Sequence, residues 1–483
     1  MTNQTHTINT IRLSLYFIIL CTIHFFNAGA QPKSSGYTYK FKIKDFQEGT
    51  GILAHYYGEN QYIPKDTAKA DSKGNLVFSK KKELPGGVYL LVLPNNKYIE
   101  LLGVEPSVQM EFDTVNVIAS MKVKESAENT VFYEYQKFMN EKAKEAQPLR
   151  KMLTSKNKDS ADIAKKKLEE LDKLVKDFRE NLFKTHAKTF AVKIFKAAME
   201  PEVPEAPILS NGRKDSLFQF RYYKNHYWDN LDLADDRLIR SPVFHDKLSK
   251  YFEKLVLQIP DSINKEADML LEKTTSKELY KYIVWWITNH YEKSNIMGMD
   301  AVFVHMANQY YLTGKAFWVD TSTQRKIRER AAILEPILIG KTAPNMYLTD
   351  SSGKAIPLST VKSKVIVLYF WDPNCGHCQK ETPKLHEYWE KNKDRGITVY
   401  AVSIDRKPDD WKRFIRNKGL KWINVWDSYV ATDFRNLYDI YSTPVIYVLD
   451  EKKKIVAKRL GTEQLPEFID NYFKDVLGSN LPK

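Results

Sequence analysis

Two cysteines with two residues between them, Cys375-Gly376-His377-Cys378, are the residues best able to do chemistry in this chain. Two intervening residues let the sulfurs close a small disulfide ring within one helical turn. Residues 365–370, VIVLYF, are an apolar and β-branched run that predicts a buried strand. Asp372-Pro373-Asn374 makes a turn, and a helical pattern begins at the first cysteine. A helix start offers free N–H groups and partial positive charge, which favours thiolate at Cys375. Thiolate is the attacking species in disulfide exchange. Cys375 is therefore the candidate nucleophile. Cys378, one turn on, is the resolving thiol that attacks the mixed disulfide. The redox-active disulfide Cys375–Cys378 then needs no added cofactor.

Other readings of these residues are weaker. A structural zinc site wants four ligands, usually as two pairs. Cys375 and Cys378 with His377 or His386 offer no second cysteine pair, so no metal is expected. A peroxidase centre of the Thr-x-x-Cys kind would need threonine where Asp372 stands. Trp371 is expected to pack beside the dithiol and, with Gly376 and His377, to form part of the substrate-binding surface. Gly376 allows close approach of a partner chain. His377 is a candidate donor to the thiolate.

The surrounding pattern resembles thioredoxin-fold proteins, and among them the envelope thiol-disulfide oxidoreductases of the TlpA/ResA type. The resemblance covers about the last third of the chain. It rests on Gly340-Lys341-Thr342-Ala343-Pro344, on Phe370-Trp371, on Glu381-Thr382-Pro383 after the second cysteine, and on Thr443-Pro444 before another strand. It implies a cis peptide at Thr443-Pro444 facing the dithiol and offering backbone groups to an extended substrate, which adds Thr443 and Pro444 to the substrate-binding surface. It also implies an active-site role for Glu381, a proton carrier whose pKa partial burial would raise. Thioredoxins in general place a buried Asp in the preceding strand; here that position is Tyr369, which adds weight to Glu381. The resemblance further implies protein disulfides as substrates and a membrane thiol donor as electron source.

The chain has 483 residues, a formal net charge of +14 and 43% hydrophobic residues. Length predicts more than one domain, and the apolar content suffices for ordinary cores. Lys and Glu are mixed throughout, and no nucleic-acid motif appears, so nucleic acid is not an expected partner. Arg12 precedes a largely apolar run over 13–26, and Ala28-Gly29-Ala30 follows, which reads as a secretory leader over 1–30. An uncleaved membrane anchor and lipidation at Cys21 are the alternatives; Leu20 argues against the second. Cleavage leaves Cys375 and Cys378 as the remaining cysteines. A periplasmic or cell-envelope location follows, with the option of membrane association.

Strand-period alternation at Tyr39, Phe41 and Ile43, then runs at 76–78, 88–93, 98–102 and 108–112, predict a sandwich-like all-β domain over 31–126. His55 beside Tyr56 and Tyr57 reads as sheet packing. From residue 127 the period becomes helical, and 127–335 is expected to be an all-α domain. Its stripes include Leu168, Leu171, Val175, Phe178 and Leu182, and then Leu248, Phe252, Leu255 and Ile259. Ser241-Pro242 reads as a capped helix start, and Thr275 with Glu278 as a capping box. Residues 336–483 read as α/β, opening with a hairpin over 346–358 and closing with a helix over 465–477.

Three functions remain open at this point. The first is an exported oxidoreductase that reduces protein disulfides. The second is an oxidase or isomerase using the same dithiol. The third is an envelope scaffold in which the redox domain is accessory.

Overall fold

The structure, a computed structural model, describes residues 36–476 apart from 45, 47, 60, 95, 96, 155, 156 and 406. The expected leader over 1–30, Cys21 and residue 477 of the expected closing helix lie outside the described residues.

The described residues open with strands β1 (Tyr37–Lys44), β2 (Thr50–Tyr57), β3 (Gln61–Lys69), β4 (Asn75–Lys80), β5 (Val88–Leu93), β6 (Lys97–Leu102) and β7 (Ser107–Asp113). A helical turn, α1 (Val117–Ser120), leads to β8 (Lys122–Glu125). They form two sheets, ordered β4-β1-β7-β8 and β3-β2-β5-β6. The alternation in β1 has the expected cause: Tyr39, Phe41 and Ile43 are buried while Lys40, Lys42 and Lys44 are not. Strands β2 and β3 escape the pattern. β2 buries consecutive residues, and β3 is a polar edge strand that tolerates Pro64.

Helices follow: α2 (Ala127–Leu153), α3 (Lys158–Thr185), α4 (Phe190–Ala197), α5 (Phe218–Asn225), α6 (Pro242–Lys250), α7 (Pro260–Lys273), α8 (Lys277–Glu292), α9 (Asp300–Met306) and α10 (Thr321–Leu334). One helix start is as expected and two boundaries differ. Ser241 stands at the N-cap and Pro242 opens α6 as expected, although the Ser241 hydroxyl donates to the Leu238 carbonyl at 2.7 Å and makes no capping hydrogen bond. Ser276, not Thr275, caps α8, accepting from the Leu279 N–H. The stripe through Leu248 and Phe252 ends in a π-helical turn at Tyr251–Leu255, so Ile259 is left 46% exposed. The apolar core of the strands continues without a break into these helices, from Tyr37 to Ala316.

The C-terminal region is α/β: β9 (Val365–Trp371), α11 (Gly376–Asn392), β10 (Ile397–Ser403), α12 (Pro408–Lys418), β11 (Ile423–Trp426), α13 (Phe434–Tyr438), β12 (Val445–Asp450), β13 (Ile455–Lys458) and α14 (Leu465–Val476). The sheet order is β11-β10-β9-β12-β13, with β9, β10 and β11 parallel and β12 antiparallel to β9. All seven residues of β9 are buried, because both sheet faces are covered. This is a thioredoxin fold. The expected opening hairpin is present as a short one: it turns at Asp350–Lys354, carries a bridge between Thr349 and Ala355, and pairs its arms through the Ile356 N–H to the Leu348 carbonyl at 2.8 Å and the Leu358 N–H to the Met346 carbonyl at 3.1 Å. Met346, Leu348 and Leu358 are buried in the core of this region.

One sheet face packs on α11 and α14 through Cys378, Leu385, Leu465 and Ile469. The other is covered in part from the helical region, by Phe303, Val304, Ala307, Ala331, Leu334 and Ile337. Ion pairs seal that junction. Asp439, with no exposed side-chain surface, holds Arg330 from α10 and Arg459. Lys458 reaches Asp300 at the start of α9 and donates to the Ile337 carbonyl at 2.8 Å.

Candidate active site

Strand β9 ends at Trp371, and the turn through Asp372 delivers Cys375 to the N-cap of α11. The Asp372 side chain accepts from the Asn374 N–H at 2.7 Å, and its carbonyl from the Cys375 N–H at 3.1 Å. Cys375 is half-buried and Cys378 fully buried, and both are free thiols. The Cys375 thiol donates to the Thr443 carbonyl at 3.4 Å. The Thr443-Pro444 peptide is cis. The chain thus brings Cys375, Cys378, Thr443 and Pro444 together across 68 residues of sequence.

The two sulfurs differ electrostatically. Burial pushes the Cys375 thiol up, but hydrogen bonds from the Cys378 N–H, the Cys378 thiol, Thr443 and the His377 N–H outweigh it, and the net shift is down. These are the free N–H groups of a helix start acting on a sulfur. Cys378 is pushed up to about 12, chiefly by burial and also by the neighbouring Cys375.

Other expected site residues fall in different places. Gly376 and His377 are exposed beside Cys375. A Cβ on Gly376 would meet nothing within 4 Å, so this glycine leaves an open surface. His377 contributes its backbone N–H to the Cys375 sulfur; its imidazole is not among the causes of the Cys375 shift.

Two expectations are corrected. Trp371 has no exposed surface and stacks 6.5 Å from Tyr369, with Phe414 at 5.1 Å, so it is core behind the dithiol and does not meet a substrate. For Glu381 the expectation is a raised pKa, and the structure gives the opposite. The Thr462 hydroxyl and the Lys384 ammonium (3.0 Å) hold its carboxylate below the usual range. Thr462 lies in the loop before α14, and nothing in the local Cys-x-x-Cys-x-x-Glu spacing signals it.

Sequence reasoning also missed the partner of Tyr369. Its hydroxyl lies 2.9 Å from that of Thr382, and neither residue has exposed surface. Thr382 stands four residues after Cys378, one turn along the same buried face of α11. That spacing was legible, but its pairing with the strand was not.

Residues 339–458 match the AhpC/TSA family model, and residues 37–132 and 166–335 match two domains of unknown function, DUF4369 and DUF5106. A thiol-disulfide oxidoreductase ResA of Bacillus cereus is 32% identical over 142 residues, which cover 29% of this chain and 80% of that relative. The chain belongs to the ResA-like thiol-disulfide oxidoreductases. ResA of Bacillus subtilis is 32% identical over 128 residues, covering 26% of this chain and 70% of the relative. Among solved structures, a domain of a possible thiol-disulfide isomerase from Cytophaga hutchinsonii is 52% identical over 29% of this chain and 97% of that domain, with a TM-score of 0.29. The ResA-like part is the C-terminal third; the strands and helices before it match models with no assigned function.

Proposed function

We propose that this ResA-like chain is exported to the periplasm or cell envelope and there reduces protein disulfides through Cys375 and Cys378. The observation that carries the reading is the division between the sulfurs. Cys375 is half-exposed, biased toward thiolate and set against the cis Thr443-Pro444 peptide; Cys378 is buried and held as thiol. Export is supported by the leader pattern over 1–30.

The Cys375 thiolate attacks one sulfur of the substrate disulfide. A bond forms between Cys375 and that sulfur, the substrate S–S bond breaks, and the other substrate sulfur leaves as thiolate. Cys378 then loses its proton and attacks Cys375 Sγ. The Cys375–Cys378 disulfide forms and the second substrate thiolate leaves. Two electrons pass from the dithiol to the substrate; the Cys378 proton goes to one substrate thiolate and solvent protonates the other. Turnover needs an external dithiol reductant, and a membrane thiol donor fits an envelope location. Gly376, His377, Thr443 and Pro444 form the surface that an extended substrate strand meets. Glu381, tied to Thr462 and Lys384, acts as a fixed negative charge near the helix start and not as the proton carrier.

The test is the reduction potential of the full chain, read by equilibration with dithiothreitol or glutathione, alkylation and mass shift. A value at or below about −220 mV supports a reductase, and one near roughly −120 to −180 mV makes the chain an oxidase or isomerase. Reduction of a disulfide substrate by a Cys375→Ser variant would sink the site assignment.

A further inference from the structure

A cleft of about 540 Å³ opens beside the dithiol, lined by Asp405, Trp426, Asp427, Val430 and Phe434 among others. Ser403 ends β10 and Trp426 ends β11, and both strands run parallel to β9, whose end carries the cysteines. Cleft and dithiol therefore open at the same sheet edge, where ligands of α/β folds bind, about 10 Å apart at roughly 4.8 Å per strand. A hydrogen bond joins them: Asn374, next to Cys375, donates through Nδ2 to Asp405 at 3.0 Å. The cleft's outer wall is the loop that runs on to Thr443-Pro444.

Its charge is one-sided. Among the described residues no Lys, Arg or His lines the cleft. Asp427 is 7% exposed; its Oδ2 takes the Thr432 N–H, and its Oδ1 receives no hydrogen bond from the described residues. Asp433 is engaged at the start of α13 through Asn436. Asp405 takes the Asn374 amide on Oδ2 and the Lys407 N–H on Oδ1, neutral donors that leave its charge in place, and with Asp427 it forms an anionic recess in a chain of net charge +14. Around it the loops on either side of α13 display Tyr429 at 80%, Val430 at 60% and Tyr441 at 63% exposure, side chains that the fold does not use as core.

We propose that this cleft is a specificity subsite for the disulfide-bearing polypeptide, and that it takes a Lys or Arg side chain about three residues from the attacked cysteine, an extended chain spanning about 3.3 Å per residue. The aliphatic stem lies on Trp426, Phe434 and Val430, and the cationic head reaches Asp405 and Asp427. This rests on the reductase reading above and adds the substrate's charge to it.

Two peptides test it. Each holds one cysteine in a mixed disulfide with 2-mercaptoethanol; they differ in Lys or Glu three residues from that cysteine. Each is mixed with one equivalent of the reduced full chain, so the dithiol supplies both electrons and no recycling reductant is needed. The Lys peptide is expected to react about tenfold faster at low salt, with the ratio shrinking toward one as salt rises. The net charge of the chain alone favours the Glu peptide, so the sign of the ratio separates a local subsite from overall attraction. The ratio should collapse in Asp405→Asn/Asp427→Asn; should that variant not fold, the salt dependence of the wild-type ratio decides. Equal rates, a Glu preference, or a Lys preference that survives the double substitution would overturn the subsite and leave the reductase reading standing. Reduction of neither peptide overturns both.

Discussion

The division between the two sulfurs can be measured directly by alkylation of the reduced chain. Cys378 is pushed up to about 12 from an ordinary value of 9.0. At pH 7 its thiolate fraction is then about 10⁻⁵, against about 10⁻² for an unperturbed thiol. A more basic thiolate is more nucleophilic, with a Brønsted slope of about 0.5, which returns roughly 1.5 of those three decades. Ionisation alone therefore leaves Cys378 about thirtyfold slower than an ordinary thiol. Cys375 is shifted the other way, and Cys378 has no exposed surface, so both remaining effects widen the gap. A brief pulse of iodoacetamide at pH 7, followed by peptide mapping, should label Cys375 at least about thirtyfold faster than Cys378. The pH dependence has a definite sign. A depressed thiol gains thiolate at lower pH, so the Cys375 rate should rise and level off below the ordinary value of 9.0. The pair is coupled, so a second and much later step is expected as Cys378 ionises. Comparable labelling of the two cysteines, or a Cys375 midpoint at or above the ordinary value, would refute the assignment of helix-start N–H groups as the cause.

Further outcomes follow from particular contacts. Tyr369→Phe should cost about 1–3 kcal/mol, because it strands a buried Thr382 hydroxyl; Tyr369→Phe/Thr382→Val should recover most of that loss, as chemical denaturation of the four proteins of the cycle would show. Arg330→Leu removes one cation from a fully buried Asp439 carboxylate and should lose about 3 kcal/mol, the low end for a broken buried pair because Arg459 remains. A loss below about 1 kcal/mol by denaturation would mean that Arg459 alone satisfies Asp439. Gly376→Ala should leave stability within about 0.5 kcal/mol, since its Cβ meets nothing, yet slow reduction of a protein disulfide more than that of a small one. Equal slowing of both substrates would argue that Gly376 does not face the substrate chain.

The features legible in the sequence are those whose causes are local. The apolar run of β9 is continuous because every one of its residues is buried, and the dithiol, the helix behind it and Pro444 follow from recognisable short motifs. The alternation of β1 is equally local. What stayed hidden depends on distant segments or on small competing choices. Glu381 reads as a partly buried acid until Thr462, 81 residues away, supplies its hydroxyl. Trp371 reads as a neighbour of the dithiol within a substrate's reach until Tyr369 and Phe414 enclose it. β2 and β3 gave no alternation, one being buried along consecutive residues and the other polar at an edge. Ser276 and Thr275 are adjacent capping residues, and only the backbone selects between them.

The junction between the helical region and the redox domain bears on what the first two-thirds of the chain contributes. The family matches break between residues 335 and 339, which suggests a linker. The packing does not break there. Leu334 and Ile337 have at most 2% exposure, and they share one core with Leu368, Phe370 and Tyr447 of the central sheet. Burial of such side chains is worth about 1.5–3 kcal/mol each, and the junction adds the Arg330–Asp439 and Lys458–Asp300 pairs. Domains joined by small polar contacts move freely by default; a shared apolar core with buried ion pairs removes that freedom. Asp439 also stands five residues before Pro444, in the segment that reaches the dithiol. The helices therefore do more than tether the redox domain. Through Arg330 and Asp439 they hold the far end of the segment that leads to Thr443, whose carbonyl takes the Cys375 thiol.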